Sequence, residues 1–157
     1  MTVCIQEDVF NIEKIISLVR KNNSSIGAIV SFIGFVREFD NSKKTKKLLQ
    51  MDLEHYPGMT EKALNEIELN AKSKWQLEDV YIIHRIGKLK PTEPIVAVVV
   101  ASEHRKSAFE ACEFIIDFLK TDAPFWKKEI SDQQIESWVQ GREEDYKKKE
   151  TWNFHKE

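Results

Sequence analysis

Residues 104–129, HRKSAFEACEFIIDFLKTDAPFWKKE, set one long amphipathic helix between two groups of cations. Ala108, Ala111, Cys112, Ile115, Phe118 and Leu119 recur at three- and four-residue intervals, the spacing of a single buried helical face. The helix is therefore held rigidly, with His104 and Arg105 at one end and Lys120 at the other. At about 1.5 Å per residue those ends lie roughly 20–25 Å apart. His104 and Lys120 of one chain do not share a small pocket unless a second chain supplies one of them. A Thr-Asp-Ala-Pro turn follows and leads into Lys127, Lys128 and Glu129, flanked by Phe125 and Trp126.

The rest of the chain mixes strands and helices. Val3-Cys4-Ile5 reads as a first strand, and Asn11 caps a helix with Ile12, Ile15, Ile16 and Val19 on one face. Residues 26–36 are rich in β-branched and aromatic types and form a strand that delivers Arg37 at its end. Residues 38–47 are polar, of mixed charge, and read as a solvated hairpin loop. A strand over 48–56 is broken by Pro57-Gly58, and Thr60 is placed to cap a helix with Ala63, Leu64, Ile67 and Ala71 inward. Strands over 80–86 and 95–102 are joined by a turn containing Gly87, Pro91 and Pro94, and two more strands are expected near 125–130 and 137–139. The charged end, 143–157, is a helix or a flexible tail, set off from one domain over 1–142. Without strict βαβ alternation, the pattern favours an α+β fold: a mixed, largely antiparallel sheet with packed helices in a single domain.

Charge narrows the functional classes. The 24 basic and 26 acidic residues nearly cancel to −2, so no global field holds a polyanion and nucleic-acid binding is disfavoured. Cys4 and Cys112 lack any metal-binding spacing, and Cys112 on the apolar helix face is expected to be structural. The first residues, MTVCIQEDVF, have no basic region before an apolar run, and the apolar run at 95–101 is too short to cross a bilayer. A cytoplasmic protein that binds neither nucleic acid nor membrane is expected.

Arg37, the His104-Arg105 pair, Lys120 and Lys127 each flank an apolar element that can aim a side chain into a cleft. Their common sign suits an anion, with arginine giving bidentate phosphate contacts and lysine a point charge. Taken singly, each reads by default as a surface cation. Crowding by like charges favours a neutral amine, which gives Lys120 a second task as base or nucleophile, against the helix dipole. Glu129 can orient a lysine. His84, in the alternating YIIHRIG, is expected on a polar face or in a satisfied hydrogen bond, and His55 is expected to hold the turn before Pro57, with facing the cleft as the lesser alternative. His155 lies in the tail. No nucleophile–His–carboxylate triad, Gly-rich phosphate loop or acid/base carboxylate pair stands at recognisable spacing.

Four ordered blocks resemble one family: LEHYPGMTEKAL at 53–64, IHRIGKL at 83–89, the 104–129 stretch, and WVQGRE at 138–143. Together, over about residues 26–143, they are similar to the catalytic large subunit of molybdopterin synthase, the MoaE family. The resemblance implies an α/β hammerhead-type fold and a sulfurtransferase that converts cyclic pyranopterin monophosphate into molybdopterin. It implies a small ubiquitin-like partner whose C-terminal Gly-Gly thiocarboxylate carries the sulfur, and a homodimer core within a heterotetramer. No metal or organic cofactor is implied. Carried onto this sequence, the catalytic positions are Lys120 and Lys127, and substrate binding falls to Phe35, Val36, Arg37, Lys128, Glu129 and Arg142. His104 and Arg105 also belong to that set, supplied by the neighbouring protomer. Phe35 stands where some relatives carry a basic residue, which leaves its backbone as the contact. A non-catalytic module binding a ubiquitin-like protein or a phosphorylated metabolite uses the same cations, and a phosphate-ester hydrolase is a weaker third reading.

Overall fold

The computed structural model describes residues 2–39, 46–132, 136–139 and 142–152. Residues 40–45 of the expected loop, Gln140 and Gly141 of the WVQGRE block, and residues 153–157 of the tail, with His155, lie outside the described residues. The fold is α+β and largely antiparallel, as expected, with its strands divided between two four-stranded sheets.

The first sheet runs β1 (Val3–Gln6), β4 (Asp79–Arg85), β6 (Pro94–Ser102), β2 (Ala28–Phe35). Its β1·β4 pair is parallel and its other pairs are antiparallel. β6 is covered on both faces, which is why its sequence is continuously apolar instead of alternating. On one face lie α2 (Met59–Lys74) and α3 (Arg105–Asp122), closing a core of Leu64, Ile67, Val80, Ile82, Val98, Val100, Phe114 and Ile115. Complete burial of side chains such as Ile115 and Phe114 contributes about 1.5–3 kcal/mol each. On the other face α1 (Ile12–Arg20) sets Ile15 and Val19 against Ile83, Val99 and Ala101. The expected cap is present: the Asn11 side chain accepts from Lys14 N at 2.9 Å.

The second sheet, β5 (Gly87–Leu89), β3 (Leu48–His55), β7 (Phe125–Ser131), β8 (Glu136–Val139), is antiparallel throughout. Gly87, at φ +85°, turns the chain out of β4 and into this sheet, so residues expected to form a turn instead pair Met51 with Leu89. Val36, Leu48, Leu53, Leu89 and Ile95 form the core between the sheets.

Thr60 is not the cap of α2. Gly58 holds that position at φ +84°, and its N–H donates to the Glu61 carboxylate at 2.7 Å. Thr60 instead sits in the first turn, fully buried, accepting from Tyr56 N and donating to Pro124 O, both at 2.9 Å. It thereby fixes the start of β7. At the other end of the chain, α4 (Glu143–Glu150) lies along α3 and is followed by Trp152, which packs on Trp75 and Phe114.

Candidate functional site

A cavity of about 460 Å³ opens where the two sheets, the end of α3 and the start of α4 meet. Each element contributes for a local reason. β2 ends at Phe35, after a register shift at Gly34, and hands Val36 and Arg37 to the wall. Val36 is buried and its N–H donates to Glu93 O at 2.9 Å, so it serves as an apolar wall. Phe35 is 55% exposed at the rim, and Arg37 has no ion-pair partner among the described residues. Side-chain alternation along β7 turns Phe125, Lys127 and Glu129 inward. The last turn of α3 adds Lys120, and α4 with its preceding residue adds Asp145 and Arg142.

The electrostatics single out Lys127. Burial holds its amine below the ordinary lysine value of 10.5, and nearby Lys120 and Arg142 push in the same direction, while Asp145 and Glu129 oppose them. The lowered amine is thus on the strand, at Lys127. Lys120 is half-exposed and pairs with Asp145 at 3.5 Å. Glu129 is buried, with Lys46 3.8 Å away.

Of the residues expected at one site, the structure brings together Phe35, Val36, Arg37, Lys120, Lys127, Glu129 and Arg142. It does not bring in Lys128. The same alternation that admits its neighbours points Lys128 to the outer face, opposite Asp52, where it pairs with Glu136 at 2.5 Å. His104 and Arg105 sit exposed at the far end of α3, with His104 Nε2 3.8 Å from Glu103, so one chain does not place them at its own cavity.

Two titratable cavity residues were missed. Asp145 lies in a charged run that gives no periodic signal. His84 is buried at the floor, its ring stacked on Phe125 at 3.9 Å, with Nδ1 2.8 Å from Arg85 O. Burial lowers its pKa to about 4, and Lys127 adds to the effect. Its place in the apolar-alternating β4 was legible; the cavity beside it was not. His55 lies 3.3 Å from Glu61 beside the turn, Cys4 Sγ is 3.2 Å from Gln6, and burial pushes the Cys112 thiol up to about 11. Among the described residues no cluster of His, Cys, Asp and Glu is placed to hold a metal, and no helix is long and apolar enough to cross a membrane.

A two-sheet α+β fold around a cationic cavity matches a known class. The chain belongs to the MoaE protein family, whose sequence model matches residues 5–122. It is 44% identical over 152 residues to the molybdopterin synthase catalytic subunit of Pseudomonas aeruginosa, covering 97% of this chain and 99% of that one. The subunit of the same name from Ralstonia nicotianae is 47% identical over 98% of this chain and 85% of its own length. Among solved structures, the molybdopterin biosynthesis MoaE protein from Burkholderia ambifaria superposes with a TM-score of 0.81 at 42% identity, covering 97% of each chain. Molybdopterin synthase from Staphylococcus aureus gives 0.77 at 33% identity, over 87% of this chain and 95% of that one.

Proposed function

We propose that this chain is the catalytic subunit of a cytoplasmic molybdopterin synthase. It transfers sulfur from the C-terminal thiocarboxylate of a small ubiquitin-like carrier to cyclic pyranopterin monophosphate. The single observation that carries the reading is the convergence of Lys120, Lys127, Arg37 and Arg142 on one cavity, in a chain whose relatives bear that enzyme's name. Arg37 and Arg142 are suited to a phosphate. Lys127, with its lowered pKa, is the cavity amine best suited to take and return protons. Lys120, exposed beside Asp145, meets the incoming tail and stabilises negative charge that develops as sulfur attacks the pterin side chain. Glu129 orients the lysines, and Phe35 and Val36 form the apolar rim.

The carrier tail binds extended, through backbone hydrogen bonds, with its folded body resting outside the cavity. His104 and Arg105 reach a cavity only from a second copy, so the reading requires a homodimer at the centre of a heterotetramer. Residues 1–142 form the catalytic unit, and the charged C-terminal segment closes one side of it. Lys128 has no part in this scheme, and no metal or cofactor is needed.

The test is to incubate the chain with the pterin precursor and thiocarboxylated carrier and to follow the dithiolene product. Lys120→Ala is expected to abolish product while leaving thermal unfolding and dimerisation unchanged. Near-normal turnover by that variant removes Lys120 from its role. Complex formation without product by the unaltered protein favours the binding module instead.

A further inference from the structure

Among the described residues His84 is the buried titratable group of the cavity wall that the scheme above does not use. Its surroundings fix its chemistry. A carbonyl oxygen cannot donate, so the 2.8 Å contact with Arg85 O requires the proton on Nδ1. Nε2 is then the lone-pair nitrogen, and it carries no hydrogen bond among the described residues. The ring face is occupied by Phe125, stacked at 3.9 Å and 18°. The side chain nevertheless contributes to the cavity wall. Nδ1 is engaged and one face is covered, so the ring presents to the cavity an edge with a neutral acceptor.

That acceptor is unusual for its setting. The cations nearest it, Lys127 foremost, are donors, and the carboxylates of Glu129 and Asp145 are already drawn to those cations. Among the described residues Ser131 Oγ is the one sealed side-chain polar atom without a partner, so Nε2 is open to the cavity, and a ligand N–H or O–H can bind it there in place of solvent. We infer that His84 is a positioning residue: its Nε2 accepts a hydrogen bond from an N–H or O–H donor of the heterocycle bound in the cavity and so sets that ring's orientation beside Phe125. The inference rests on the proposed function and names one contact within it. His84 is a poor general base here, because burial makes its protonated form too strong an acid to hold a proton near neutral pH. Its effect falls on substrate placement.

Two variants separate the contact from the packing. His84→Phe keeps an aromatic ring to stack on Phe125 and removes the acceptor. His84→Gln restores an acceptor at a reach similar to that of Nε2. With precursor and thiocarboxylated carrier, His84→Phe is expected to raise KM for the precursor about tenfold, as loss of one net hydrogen bond implies, while the carrier's affinity stays the same. His84→Gln is expected to recover to within about threefold of the unaltered protein. An unchanged KM in His84→Phe, or a raised KM that His84→Gln does not lower, overturns the inference. Should His84→Phe fail to fold, the unaltered protein decides the matter by nitrogen NMR. Adding precursor is expected to move the His84 Nε2 resonance upfield with Nδ1 still protonated, and an unmoved Nε2 overturns the inference. If the unaltered protein makes no product, the proposed function itself has failed, and that failure is distinct from either result for His84.

Discussion

Removing the indole of Trp152 tests how the cavity is closed. α4 is eight residues long and buries none of its own side chains, so neither intrinsic propensity nor an apolar stripe holds it in place. Its ion pairs, Lys148 with Glu113, Lys149 with Asp122 and Lys120 with Asp145, are partly exposed and contribute little. The anchor is Trp152. Its ring meets Phe114 edge-on at 5.6 Å and Trp75 at 5.9 Å, and its Nε1 donates to Asp117 at 2.7 Å. A fully buried aromatic truncated to alanine costs about 3–5 kcal/mol, so this half-buried one costs about 2. Losing a hydrogen bond to a carboxylate adds about 1 kcal/mol. Trp152→Ala therefore weakens docking of α4 by about 3 kcal/mol, roughly a hundredfold in its docked-to-released ratio. Release also takes Asp145 from Lys120 and Arg142 from the cavity wall. Hydrogen exchange of the amides in 143–150 is expected to accelerate by that factor, with KM for the precursor rising in parallel. Unchanged protection of those amides in Trp152→Ala refutes the reasoning, because something other than the indole then holds the helix.

Three further outcomes follow from the same structure. Lys127→Met is expected to raise stability at neutral pH by about 1 kcal/mol while abolishing conversion, since the lowered lysine pKa means that burial of its charge opposes folding. The sign is checked by pH: the unaltered protein gains stability from Lys127 as pH rises towards 10.5, and the variant lacks that gain in denaturant titrations. His84 has a pKa lowered from 6.5 to about 4, so the unfolded chain takes up its proton first and stability falls by about 1.4 kcal/mol per pH unit across that window, about 3 kcal/mol in all. His84→Phe should show a correspondingly shallower acid limb, and an identical limb counts against the buried neutral imidazole. Gly27→Ala would place its Cβ 2.1 Å from the Glu103 carbonyl oxygen, and the forced shift is expected to cost about 1–3 kcal/mol, read as a fall in Tm.

The helix of residues 105–122, the capped α1 and the strands of the first sheet were legible because each carries its own period. Ile15 and Val19 repeat as a helix does, and the unbroken apolar β6 announces a strand covered on both faces. The second sheet was not legible as a sheet. β5 has three residues, too few for a pattern, and its partners lie far away in the chain, Leu53 opposite Lys127 and Met51 opposite Leu89. Lys128 could have been set aside from sequence alone, since period two along β7 separates it from Lys127 and Glu129. The role of Thr60 was hidden for a different reason: its partner Pro124 is 64 residues distant.

From the sequence alone come the family, the apolar faces, and the placement of His104 and Arg105 a helix length away from Lys120, because composition and spacing are properties of neighbours along the chain. Which cations meet, and which of them loses water, was settled by tertiary structure. Desolvation at Lys127 and at His84 is a sum over atoms from β2, β4, β7, α3 and α4, and no single segment contains it.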